Sequence, residues 1–174
     1  MLRAARFAAK LNFTLHPGTE APIGELAYML DRIPAARLFD ETLKLMLSGH
    51  AEASLEWLIR LKLLPHLMPD VATALEAAPE SAGARLVQFG LEGTDDRVHD
   101  DKSVTPTFLF AVLLWPAILR ALGTPDGPLP DDPQRLLDAS DKVIGRQLQR
   151  IALPKRFSLP MRELIMLQAR FERR

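Results

Sequence analysis

At 174 residues, 48% apolar and 25% charged with a formal net charge of zero, the chain is long enough to close one hydrophobic core and has the composition of an ordinary globular protein. It has no cysteine, which excludes disulfides and thiolate metal sites, and it does not begin with the long apolar run of a secretory signal. The longest apolar run, FLFAVLLWPAIL from Phe108 to Leu119, is shorter than the roughly 20 residues that cross a bilayer and contains Pro116. A cytoplasmic protein with no membrane segment is the expectation.

In chain order, nearly every segment carries helical periodicity. Leu2, Phe7 and Leu11 form the expected apolar face of a first helix, along which Arg3, Arg6 and Lys10 step at spacings of three and four, with no acidic residue before Glu20. Thr19 is placed to cap a helix over EAPIGELAYMLDRI. Pro34 suits the first turn of PAARLFDETLKLMLSG, which Gly49 closes, so a helical hairpin with the next segment is expected. That segment, AEASLEWLIRLKLL, aligns Leu55, Leu58, Ile59 and Leu63 and stops before Pro65. Two shorter helices follow over PHLMPDVATALEAA and SAGARLVQFGLEG. The polar runs EGTDDRVHDDKSVTP and GTPDGPLPDDP read as loops on either side of a buried helix around Trp115. A helix from about Pro133 to Arg150 and a last one from about Ser158 to Arg173, with Ser158 as its cap, complete the pattern. No strand pattern stands out, so the expectation is an all-α, irregular bundle of about seven to nine helices with Trp57 and Trp115 in its core.

Zero net charge conceals an uneven distribution. From Val71 to Asp141 acidic residues outnumber basic ones, whereas from Lys142 onward nine Lys or Arg face only Glu163 and Glu172. Arg146 and Arg150 lie one turn apart, Lys155 and Arg156 are expected in the connection around Pro154, and Arg162 and Arg170 follow on the last helix. Such a band would neutralise phosphates with little base preference. The alternative is that Arg146 and Arg150 pair within the fold, for which the nearby DDPQRLLDASD supplies carboxylates.

Catalytic constellations are missing. No two acidic residues stand at i and i+2, one efficient way to bring together the carboxylates of a two-metal site, and there is no phosphate-cradling Gly-rich loop, no H-E-x-x-H and no G-x-S-x-G. His99 and Asp100 form the one metal-like step. His16, His50 and His66 are not at ligand spacing to it, so DDRVHDDK reads as a solvated acidic loop with neither metal nor catalytic residue.

Four segments together carry a resemblance. In this order, LRAARFAAKLNFTLHPGTEAPI, PAARLFDETLKLMLSGHA, DDKSVTPTFLFAVLLW and LPKRFSLPMRELIMLQARFERR are similar to the neck, body and C-terminal segments of bacterial poly(A) polymerases. These belong to the nucleotidyltransferase superfamily, which also includes the CCA-adding enzymes. The resemblance implies the neck and body of a class II nucleotidyltransferase, with residues 1–64 as a neck-like RNA- or nucleotide-binding region and 65–174 as the body, in one globular unit. It implies RNA binding within an enzyme that adds AMP from ATP to RNA 3′ ends. Magnesium and ATP would belong to an α/β head that precedes the neck and is not among these residues, so the chain alone is expected to be inactive. Arg3 and Arg6 would trail the base-recognition segment, and Arg37 and Glu41 fall in a second neck motif, where an i, i+4 ion pair is the simpler role. The candidate binding residues are Arg3, Arg6, Lys10 and Arg37 in the neck and Arg146, Arg150, Lys155, Arg156 and Arg162 toward the C-terminus. RNA 3′ ends, the head and RNA-processing proteins are the implied partners. Two other readings stand beside this one: a helical protein-interaction module, which the acidic middle suits, and the tail of a CCA-adding enzyme, which fits PKRFSLPMRELIMLQARFERR less well.

Overall fold

The computed structural model describes residues 1–126 and 128–172, so Arg173 and Arg174, which end the basic run, lie outside the described residues. Ten α-helices and one 3-10 helix make up the fold, and no strand occurs among the described residues, as expected of an all-α bundle. The helices are α1 (Leu2–Leu11), α2 (Pro17–Glu25), the 3-10 helix (Ala27–Arg32), α3 (Ala35–Met46), α4 (Ala51–Arg60), α5 (Leu64–Leu67), α6 (Pro69–Ala77), α7 (Ala82–His99), α8 (Pro106–Leu122), α9 (Pro133–Arg150) and α10 (Lys155–Glu172).

The bundle is arranged about α8. Every residue from Leu109 to Leu119 is buried, and α6, α7, α9 and α10 pack around it. Thr105 caps its start by accepting the Phe108 amide at 3.2 Å, Pro106 opens the first turn, and Gly123 closes the helix at φ 75°, a conformation that suits a residue without Cβ. Trp115 is 3% exposed within this helix, while Trp57 on α4 is half-buried against the core with the Arg60 guanidinium 4.7 Å from its ring centroid. One connected set of buried apolar residues runs from Leu2 to Ala169. Phe39 of α3 ties the first helices to the rest, its ring stacked 6.0 Å from Phe110 of α8 and lying 6.2 Å from Phe157 of α10.

Several local expectations change in the folded chain. The buried face of α1 is Leu2, Ala5, Ala8 and Ala9; Phe7 and Leu11 are 48% and 47% exposed. Alanines let the helix lie close on α4, and the larger apolar side chains are left outside. The second helix begins three residues earlier than expected, at Pro17, where His16 rather than Thr19 accepts from an N-terminal amide, that of Gly18 at 3.1 Å. The polar run after Leu91 is helix as far as His99 and a connection only from Asp100 to Thr105. Val87, Leu91 and Thr94 extend one buried stripe of α7, Thr94 satisfies its hydroxyl on the Gly90 carbonyl, and Asp95 accepts the Ala51 and Glu52 amides at 2.6 and 3.3 Å. His50, the residue before α4, offers no side-chain cap, so the carboxylate from α7 fills that role. Finally, α10 starts at Lys155, which makes Ser158 a buried interior residue rather than its cap.

Small residues set the approach of α7 to α8. Gly83 and Gly90 are two turns apart on α7; a Cβ on Gly90 would stand 2.5 Å from Val112 Cγ1, and one on Gly83 would stand 3.0 Å from the Pro116 Cα. Gly93 on α7 and Gly145 on α9 have open space at the same position. Gly90→Ala is therefore expected to destabilise by about 1–2 kcal/mol, because overpacking against a stiff valine exceeds the gain in helix propensity. Gly93→Ala and Gly145→Ala should each stabilise by about 0.5–1 kcal/mol. Urea unfolding of the three variants checks the sign of each.

Candidate nucleic-acid interface

Two groups of basic residues separated by more than a hundred positions in sequence are carried by elements that both pack on α3. The first is carried by α1, on which Arg3, Arg6 and Lys10 follow one another along a single ridge beside the buried alanine face. Arg3 and Lys10 are exposed and Arg6 half-buried, its guanidinium 5.3 Å from the centroid of the Phe7 ring. Arg3 shares a cleft of about 250 Å³ with Arg37 and Glu41 of α3, floored by Leu2, Leu30 and Leu38.

Glu41 is the anion of this patch. Its carboxylate accepts from Lys44 Nζ at 2.9 Å, so the expected ion pair with Arg37 is replaced by one at i, i+3. Lys44 holds the Glu41 carboxyl below its ordinary value, and the guanidinium groups of Arg6 and Arg3 add to the effect. Arg3, Arg6, Arg37 and Lys44 thus gather around one carboxylate. Lys44 was absent from the expected set, although the i, i+3 step from Glu41 is visible in the sequence.

The second group lies at the start of α10. The Ala152 amide donates to the Ala35 carbonyl at 3.1 Å, seating the α9–α10 junction on the first turn of α3, two residues from Arg37. Lys155 and Arg156, expected in a connection, occupy the first turn of α10 and are exposed, with Arg156 stacked 4.8 Å from the Phe157 ring centroid. Cations at a helix N-terminus oppose the macrodipole, so local helix stability does not explain them. Together with the first free amides of the helix, they make a place where a phosphate is attracted.

Arg146, Arg150 and Arg162 are engaged by partners within the fold, whereas Arg170 is exposed. Arg146 Nε donates to Asp70 at 2.7 Å, joining α9 to α6. Arg150 Nε donates to the His66 carbonyl at the end of α5, and its terminal nitrogen stands 3.2 Å from Asp31. Between them Gln147 donates to the Leu67 carbonyl at 2.9 Å, so one face of α9 serves the last carbonyls of α5, which a helix of that length leaves without partners. Arg162 of α10 pairs with Asp141 of α9. Internal pairing, one of the two readings of Arg146 and Arg150, is what the fold contains, but the partners are Asp70 and Asp31 and not the nearer DDPQRLLDASD.

The metal-like step is dispersed. His99 lies edge-on to His50 at 5.7 Å and Asp100 pairs with Lys102 at 2.9 Å. No group of three or more His, Asp or Glu able to hold a metal ion occurs among the described residues. No described helix is long and apolar enough to cross a membrane.

The described residues form a strand-free bundle whose first and last helices carry exposed basic side chains. Comparison with known proteins gives this bundle a family. Residues 12–75 match the family model described as the probable RNA and SrmB-binding site of polymerase A, and residues 131–174 match that of the polymerase A arginine-rich C-terminus. Over its whole length the chain is 36% identical to poly(A) polymerase I of Escherichia coli O6:H1 and 33% identical to that of Haemophilus influenzae. It spans 38% and 39% of the length of those curated relatives. A CCA-adding enzyme of Limosilactobacillus fermentum is 41% identical over 66 residues, 38% of this chain and 16% of that enzyme. The chain belongs to the bacterial poly(A) polymerase family and matches its RNA-binding and C-terminal region.

Arg150→Ala removes a half-buried charged donor and should cost about 1.5–3 kcal/mol, whereas Lys155→Ala and Arg156→Ala should change stability by less than about 0.5 kcal/mol. Chemical denaturation separates them. The lowered Glu41 carboxyl contributes stability that is present above the ordinary value of 4.5 and is lost as pH falls through its value in the folded chain. In a carbon-13 titration the Glu41 carboxyl should titrate below its ordinary value of 4.5, and Lys44→Met should raise it.

Proposed function

We propose that this chain holds the 3′ region of an RNA for an enzyme that adds AMP from ATP to RNA 3′ ends, and that it does no chemistry by itself. The observation that supports this reading is the joining, across α3, of the α1 ridge and Arg37 with Lys155 and Arg156 at the start of α10. Arg3, Arg6, Lys10 and Arg37 meet phosphates at one end of this track, and Lys155 and Arg156 meet them at the other. Such contacts position the strand and carry little base information. Arg146, Arg150 and Arg162 support the track from inside by locking α9 and α10 in place.

ATP and magnesium belong, in this proposal, to an α/β head that acts together with the neck. The carboxylates among the described residues do not gather into a set that fits a magnesium ion, so no chemical step runs through one here. The work of these residues is to bind and orient RNA. A role in mRNA polyadenylation in the cytoplasm, beside RNA-processing proteins, goes with this assignment.

Single-stranded oligoadenylate is the probe. Binding by fluorescence anisotropy at low and moderate salt should weaken in Arg3→Ala/Arg6→Ala/Lys10→Ala and in Lys155→Ala/Arg156→Ala, and the salt slope should fall by about 0.7 for each phosphate that a variant no longer neutralises. Unchanged affinity in both variants would refute the track. Incubation of the chain with ATP, magnesium and an RNA primer should give no extension, and elongation by the purified chain would overturn the division of labour.

A further inference from the structure

A groove of about 880 Å³ runs between α4, α6 and α7, away from the basic track on α1 and α3. Its floor is apolar. Leu55 and Ile59 of α4, Leu75 of α6, and Val87 and Leu91 of α7 line it, each helix contributing side chains spaced to lie on one face. Ile59 is 50% exposed although its neighbours Leu55 and Leu58 are buried, so the floor leaves apolar surface open.

Carboxylates mark the rim. Glu52 and Glu56 stand one turn apart on α4 and Glu76 stands on α6, and none of the three enters an ion pair among the described residues. Glu52 lies in the first turn of α4, where an acidic side chain suits the helix end. Glu56 precedes Arg60 by one turn, but that guanidinium is taken by Glu20 at 2.6 Å, and Glu76 has no cation on its own helix. Lys62 also lines the groove, as does His66, whose ring nitrogen is held by Asp31. A rim with this balance repels a phosphodiester chain and attracts cations, which makes RNA the wrong occupant. An apolar trough between helices, edged by negative charge spaced at one helical turn, is complementary to a helix that has an apolar stripe bordered by Lys or Arg.

We propose that this groove docks a basic amphipathic helix of a protein partner, its apolar anchors on Leu55, Ile59 and Leu75 and its flanking cations on Glu52, Glu56 and Glu76. The proposal stands independently of the RNA reading, since it uses a different surface and the opposite charge.

The probe is a synthetic peptide of about 16 residues, with Leu at i, i+4, i+7 and i+11 and Lys flanking that stripe, compared with the same peptide carrying Glu in place of Lys. Anisotropy measures affinity and nitrogen-15 NMR of the labelled chain maps the contact. The Lys peptide should bind saturably with shift changes centred on Leu55, Ile59, Leu75 and Val87, and at least about tenfold more tightly than the Glu peptide. Glu52→Gln/Glu56→Gln/Glu76→Gln should abolish that preference, and Ile59→Asp should remove binding of both peptides. All of these sites lie at the surface, and circular dichroism verifies that helicity is kept. Oligoadenylate affinity, measured on the same variants, should not fall. No saturable binding, equal affinity for the two peptides, shift changes outside the groove, or displacement of the Lys peptide by oligoadenylate would each overturn the proposal.

Discussion

The constraint on which the rest of the structure depends is the apolar circumference of α8. From Leu109 to Leu119 it offers no polar side chain to water, so it must be covered on all sides. Four helices do so. On α7, Gly83 and Gly90 admit Pro116 and Val112 at close range. Phe39 and Phe157 meet around Phe110, bringing α3 and α10 to the same place. Because the chain closes around one helix, segments far apart in sequence become neighbours at its surface.

That closure decides which cations are available to a ligand. Basic residues near the α5–α6 turn are drawn into the fold, since α5 is a single turn whose last carbonyls need donors from elsewhere. Arg150 and Gln147 supply them and Arg146 adds an ion pair to Asp70. Basic residues at the start of α10 have no such obligation and stay in solvent. An arginine-rich segment is thus divided by geometry into side chains that hold helices together and side chains that face outward. Charge density along the sequence does not distinguish the two.

The two surfaces differ in sign as well as in shape. Around Glu41, four cations outnumber one carboxylate, and the anion is itself tied to Lys44. Around the α4–α6–α7 groove, three carboxylates face one lysine. A neutral overall charge is the sum of these opposed patches, which is how a chain with a pI near 6.9 presents distinct polar surfaces.

Much of this was legible in the residues themselves. The unbroken apolar run around Trp115, set between two polar segments, determined α8, and Pro133 and Arg150 bound α9 where the pattern placed them. The four quoted segments identified the family. These features are local, each set by spacing along one helix or by a cap. What only the tertiary structure decided are the non-local choices: that α1 buries its alanines and exposes Phe7, that EGTDDRVH is helix because Thr94 is buried and Asp95 caps α4, and that Arg146 and Arg150 are held by Asp70 and the His66 carbonyl while Lys155 and Arg156 stay exposed at the start of α10. The physical reason is the same in each case. A side chain's role there is set by an orphaned amide, an unpaired carbonyl or a close helix contact supplied by a residue tens of positions away, and spacing along one stretch of sequence carries no record of that partner.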